Sequence, residues 1–344
     1  MINEKEFILD SSKAQFEKPT HEALVSIAEY EGKDIAVAVV DARKKSLDTG
    51  ELVGKTIIWP EGYMARMDDF ETQRLTTIAE ALDARLIGVE LPGVGISDNA
   101  DAKMSLLDKL DMLRGNFDKS AHDMLGAMNE IVKFKDGEEV EFALYSQGAV
   151  LGAHMIEDLE NGDFGLNLKV PKVTVFEDVN DSHFNIRLIK IGNEDTDPKT
   201  KIKQGVTNRY LDENNQYPWL TSPADRQEGG KEKVDALNKK QGGLLAVGAV
   251  ALISASFPET LERAIKPYSR TGITEAEINI LKADGSTVGS IEANRKTVER
   301  LQLVMPLGRV ALTKVIAPEG QESHRHPFVH SMPNVDILAK EFLK

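Results

Sequence analysis

Apolar positions in this chain fall into short continuous runs separated by stretches of helical spacing. Residues 34–40 (Asp-Ile-Ala-Val-Ala-Val-Val) and 55–59 (Lys-Thr-Ile-Ile-Trp) predict strands, with Gly50 and Gly54 punctuating the link between them. Residues 70–82 carry a helical pattern. The run Leu86-Ile87-Gly88-Val89 follows, stopped by Pro92 and Gly93. Residues 102–134 read as largely helical, 141–145 as strand, 150–159 as helix and 173–176 as the next strand. This alternation of strands and helices predicts an α/β fold, a mostly parallel sheet covered on both faces.

The rhythm stops at about residue 184. Residues 192–243 are rich in Asn, Asp, Lys, Gln, Gly and Pro and hold few apolar anchors. An apolar stretch from Leu244 then predicts a helix ended by Pro258. The β-to-α rhythm resumes with a strand over 277–281, a helix over 291–301 and a strand over 310–316. A closing amphipathic helix spans 335–343. The expected organisation is a core of residues 1–183 and 270–344, with 184–269 an inserted, partly helical cap.

Composition narrows the chemistry. A hydrophobic fraction of 41% over 344 residues suffices for one large domain with an insertion. The net charge of -14 argues against nucleic acid, whose phosphates want a basic partner. There is no cysteine, so thiolate nucleophiles, disulfides and cysteine metal sites are excluded. The charged N-terminus predicts no secretory signal, and the longest apolar run, 244–257, is shorter than the roughly 20 residues a membrane span takes. A cytoplasmic location fits these features. The chain is compatible with a homo-oligomer, and its sequence sets no copy number.

The segment Phe142-Ala143-Leu144-Tyr145-Ser146-Gln147-Gly148-Ala149 reads as a strand turning abruptly into a helix, with Ser146 at the corner. A corner of that kind holds a hydroxyl exposed for nucleophilic attack, and small residues two positions either side let the helix pack on the strand. Gly148 satisfies the second small position and Leu144 breaks the first. The same segment also reads as an ordinary buried strand ending in a turn.

Serine chemistry needs a base and an acid, here in the chain order Ser, acid, His. Asp284 lies just past the strand 277–281, at the end of the sheet where functional loops gather. It also reads as a plain Asp-Gly turn. Asp178 and Asp181 are the other acid candidates. Three of the seven histidines, His324, His326 and His330, follow the last strand. His-x-His is also compatible with a metal, though no H-E-x-x-H motif accompanies it. The turn Trp59-Pro60-Glu61-Gly62-Tyr63 follows an early strand and could aim a backbone N–H that joins the Gln147 N–H in an oxyanion hole. Pro92-Gly93-Val94-Gly95-Ile96-Ser97-Asp98 lacks the third glycine of a dinucleotide fingerprint, so its glycines read as a sharp turn.

Together these residues resemble the α/β-hydrolase family, over roughly 34–183 and 270–344. Residues 90–98 (Glu-Leu-Pro-Gly-Val-Gly-Ile-Ser-Asp) look like the family's D-x-P-G-x-G-x-S loop, with Glu for Asp. Tyr145-Ser146-Gln147-Gly148-Ala149 is similar to the elbow of cutinase-like serine esterases. Glu61-Gly62-Tyr63 resembles the His-Gly-x oxyanion turn, with Glu for His, and His326 to Pro333 resembles the terminal histidine loop. The resemblance implies Ser146 as nucleophile, His326 as base, Asp284 as acid and the N–H groups of Tyr63 and Gln147 as oxyanion donors. It implies cleavage of a carboxylic ester or a small amide or peptide, with no cofactor and no metal. Leu144 is expected to tilt the elbow helix or relax its strain. Leu244, Leu245, Val247, Val250, Leu252 and Ile253 would line an acyl pocket or form an ordinary buried helix. A second function fits the same residues: a non-catalytic protein of this fold that binds a small molecule or a partner subunit.

Overall fold

In a computed structural model, which describes residues 3–13, 16–61, 67, 69–92, 106–178, 257–266, 268–284, 286, 290–320 and 332–344, the apolar runs become a nine-stranded sheet. The strands in chain order begin with β1 (Asn3–Ile8), β2 (Leu24–Tyr30) and β3 (Lys33–Asp41). A separate small pair follows, β4 (Lys44–Lys45) and β5 (Leu52–Val53). Next come β6 (Thr56–Pro60), β7 (Arg85–Val89), β8 (Glu141–Tyr145), β9 (Lys172–Phe176), β10 (Glu277–Ala283) and β11 (Arg309–Ile316). Their order across the sheet is β1-β11-β10-β9-β8-β6-β7-β3-β2. All neighbours run parallel except β2–β3 and β3–β7. The β2–β3 hairpin closes through Glu31 and Gly32, both at positive φ, as a two-residue turn between twisted strands requires.

Seven helices are described. They are α1 (Asp69–Leu82), α2 (Leu106–Leu113), α3 (Asp118–Val132), α4 (Gly148–Asn161), α5 (Phe257–Ala264), α6 (Ile291–Val304) and α7 (Met332–Phe342). They cover both faces of the sheet, and this explains why the central strands are apolar at every position rather than at alternate ones. Ile57, Ile58 and Trp59 of β6 and Phe142, Ala143 and Leu144 of β8 are all fully buried. Successive side chains leave opposite faces. Ile58, Phe142 and Leu144 join residues of α3, α4, α5 and α6 in one core. Ile57, Trp59, Ala143 and Tyr145 join α1 and α7 in the other.

Three expectations change. The stretch 102–134 is not one helix: α2 stops and Gly115, at φ +77°, turns the chain before α3. Pro258 lies within α5, and the chain stays helical past it as far as Ala264. Strands β1 and β2 were not expected at all. The apolar residues 244–256 lie outside the described residues, as does most of the segment 184–269. Its described end includes α5, whose Phe257, Leu261 and Ala264 are buried in the core shared with α4.

The chain end is fastened to the sheet. Lys55 Nζ donates to Leu343 O, Lys172 Nζ to Lys344 O at 2.7 Å, and Thr174 Oγ1 to Phe342 O at 3.4 Å. Cations just past the C-terminus of α7 also suit the helix dipole. Among the described residues, no helix is long and apolar enough to cross a membrane.

Candidate active site

The corner between β8 and α4 is built as a strained turn. Ser146 has φ +51°, in the left-handed region that non-glycine residues avoid. Its N–H donates to Phe176 O at 3.2 Å, while Ala149 N–H reaches back to Ser146 O at 3.1 Å and starts α4. Tyr145 and Gln147 on either side are buried, and Ser146 itself is half-exposed. Its Oγ has no hydrogen-bond partner among the described residues. The Gln147 N–H likewise makes no backbone hydrogen bond there, and it stands at the positive end of the α4 dipole, where an anion is favoured.

Two glycines let this corner close. A Cβ on Gly148 would overlap Pro60 O, so α4 starts in backbone contact with the end of β6. A Cβ on Gly152 would overlap the Leu144 side chain. Leu144 was expected to tilt the helix or relax the strain. The left-handed Ser146 is retained, and the space the leucine needs comes from Gly152, one turn along α4 from Gly148. The small residue has moved from the strand to the helix. The Gly148-x-x-x-Gly152 spacing carries that signal, since residues four apart share a helix face.

Of the other expected site residues, Tyr63, His324, His326, His330 and Asp181 lie outside the described residues. Asp284 stands just past β10, exposed, with its N–H bonded to Val315 O at 3.0 Å. Asp178 is engaged elsewhere. It is fully buried, its Oδ1 accepts from Asn294 Nδ2 at 2.7 Å, and its carbonyl accepts from Lys282 Nζ at 2.7 Å. Lys282 is fully buried too, 3.6 Å from Glu177 Oε2 and 3.8 Å from Asp178 Oδ1. Burial pushes the Glu177 carboxyl up, and the Lys282 charge opposes that shift.

The three described histidines each have Nδ1 against a carboxylate. His21 meets Glu80 at 2.6 Å, His122 meets Asp158 at 2.9 Å and His154 meets Asp118 at 2.6 Å. The last two pairs cross in opposite senses between α3 and α4, which ties the helix behind Ser146 to its neighbour. Asp118, His154 and Glu157 come close enough together to suggest a metal. Arg263 already holds both Glu157 oxygens at 3.0 Å, so a cation occupies that carboxylate.

Sequence reasoning missed an acidic cluster beneath the corner. Glu61, at the end of β6, is buried, as are Glu90 past β7 and Arg74 of α1. Arg74 pairs with Glu71 and lies over two rings, 5.8 Å from the Trp59 centroid and 5.7 Å from that of Tyr145. Glu90 Oε1 accepts from Met67 N–H at 2.5 Å. Burial first, and then the Glu71 charge, raise the Glu61 carboxyl well above the usual range; Arg74 opposes this. The available signal was Arg74 itself, beside Leu75 and four residues before Ile78 on the apolar face of α1.

No family model and no curated protein matches the chain. Solved structures do. The enol-lactonase from Burkholderia xenovorans LB400 aligns with a TM-score of 0.50 at 10% identity, over 92% of this chain and 98% of that one. The L374D mutant of esterase E22 aligns with a TM-score of 0.50 at 11% identity, over 94% of this chain and 100% of the other. At such identities the likeness concerns the fold. With the sheet order and the strand-to-helix corner, it shows that this chain has the α/β-hydrolase fold.

Proposed function

We propose that the protein is a serine hydrolase that cleaves a carboxylic ester, with a small amide or peptide as the nearest variant, through an acyl-enzyme. The observation that carries this reading is the left-handed Ser146 at the head of α4. A protein that only bound ligands would gain nothing from a serine there, because glycine holds the same conformation without strain. The two aligned structures, an enol-lactonase and an esterase by name, agree with this chemistry.

In the proposed reaction, Ser146 Oγ attacks the carbonyl carbon while His326 takes its proton. The same histidine returns that proton to the leaving group, and water then repeats the sequence on the acyl-enzyme. Asp284 orients His326 and stabilises its imidazolium form. The N–H groups of Tyr63 and Gln147 bind the oxyanion. Asp284 is preferred to Asp178 because the latter is buried and bonded to Asn294. Residues 184–269 act as a cap over a core of 1–183 and 270–344, and the enzyme works in the cytoplasm without cofactor or metal.

A panel of p-nitrophenyl esters of graded acyl length, run beside aminoacyl amides, tests the proposal. Turnover of at least one ester, abolished in Ser146→Ala, is expected. Folded protein that turns over neither class, or a Ser146→Ala variant of undiminished activity, would overturn it.

A further inference from the structure

Glu61 occupies the position where the oxyanion turn begins. Its N–H is bonded to Val89 O at 2.9 Å, and its backbone lies against Gly148 at the start of α4. Strands β6 and β8 pair Ile57 with Glu141 and Ile58 with Phe142, and this register, continued, sets Glu61 beside Tyr145, one residue before the serine. The side chain is 1% exposed, its Oε1 is buried without a hydrogen-bond partner among the described residues, and the Trp59 side chain opposes the rise of the carboxyl. Among the described residues, the charged groups facing it are Glu71 and Arg74 from α1 and Glu90 from the end of β7. Arg74 lies over the Tyr145 ring of β8, and Glu71, Arg74 and Glu90 have further interactions of their own.

A carboxylate left in such a place would be desolvated, would lack a donor on one oxygen and would face two other carboxylates. A protonated carboxyl removes the charge and with it both the desolvation and the repulsion. We propose that Glu61 is a positioning residue of the active site, holding its proton while the enzyme works and switching the site off when that proton passes to solvent at alkaline pH. This rests on the serine-hydrolase reading. An ionised Glu61 would repel the developing oxyanion and compete for the N–H groups at the head of α4 that should bind it. Neighbouring strands are about 4.8 Å apart, so the charge would act over roughly 10 Å in a poorly solvated site. An effect of about tenfold or more on turnover follows.

The experiment compares wild type with Glu61→Gln, which keeps the shape and cannot ionise. Turnover of p-nitrophenyl acetate and thermal unfolding are both followed from acid to alkaline pH. Wild-type kcat/KM should fall by about tenfold or more from its neutral value on the alkaline side, and Glu61→Gln, measured against its own neutral rate, should lose that limb. An alkaline limb unchanged in Glu61→Gln overturns the proposal. The unfolding arm does not depend on hydrolysis. A carboxyl that binds its proton more tightly when folded costs stability as pH rises from its ordinary value of 4.5 to its raised one. Glu61→Gln should therefore gain on wild type across that interval, and a gap that ignores pH overturns the buried proton. A pH-dependent gap in a protein that hydrolyses nothing keeps the proton but overturns its role in the site, along with the hydrolase reading.

Discussion

Strands β8 and β9 lie side by side, and each is followed directly by a non-glycine residue in the left-handed region, Ser146 at φ +51° and Glu177 at φ +57°. The corners touch, since Ser146 N–H donates to the carbonyl of Phe176, the last residue of β9. They hold the same kind of backbone by different means. At Glu177 the side chain does the holding: its Oε1 accepts from Ala283 N–H, Lys282 faces its Oε2, and every group is buried. At Ser146 the neighbours do it, through Gly148 against Pro60 and Gly152 against Leu144, and the serine hydroxyl bonds to none of the described residues. A reactive group can sit on a strained corner only where something other than that group stabilises it.

Substitutions can break this contrast. The largest effect is expected from Ser146→Gly. Hydrolysis should fall by about a thousandfold or more, while stability in urea stays within about 1 kcal/mol of wild type, strain relief offsetting the freer unfolded chain. Loss of folding with loss of activity would show that the serine side chain holds its own corner. Lys282→Met should come next, at about 3–5 kcal/mol of stability, because it leaves Glu177 and Asp178 buried without their cation. Urea unfolding measures it, and a loss under ~1 kcal/mol would mean that Lys282 does not hold the β9 corner.

Gly148→Ala should cost about 1–3 kcal/mol, since its methyl meets the rigid Pro60 carbonyl and has nowhere to go. The smallest effect belongs to Gly152. Its alanine variant meets only a flexible leucine, so its cost should shrink in a Leu144→Ala background. A double-mutant cycle should show coupling of about 0.5 kcal/mol or more. Strict additivity would detach Gly152 from the elbow.

The contrast also marks what could be read from the chain. The α/β alternation and the serine corner were legible because central parallel strands are apolar throughout and the turn is local in sequence. Strand β1 was not. Its residues Asn-Glu-Lys-Glu-Phe-Ile are mostly polar and exposed, and they become a strand only by pairing with β11, more than 300 residues away. Leu144 looked like a defect because the motif places the small residue on the strand, whereas here the helix supplies it as Gly152. Asp178 looked available as an acid because nothing nearby in sequence announces its partners. Lys282 and Asn294 reach it from β10 and α6. The Glu61 cluster was hidden for the same reason, its members being brought together from β6, β7 and α1.

The central claim is that Ser146 is a nucleophile held ready by the packing around it. Fluorophosphonate labelling of the folded full-length protein, read by intact mass and peptide mapping, tests it most directly. The account predicts one adduct, on Ser146, absent from Ser146→Ala and lost on unfolding. Folded protein that takes up no label, or carries it on another residue and keeps it in Ser146→Ala, would contradict it.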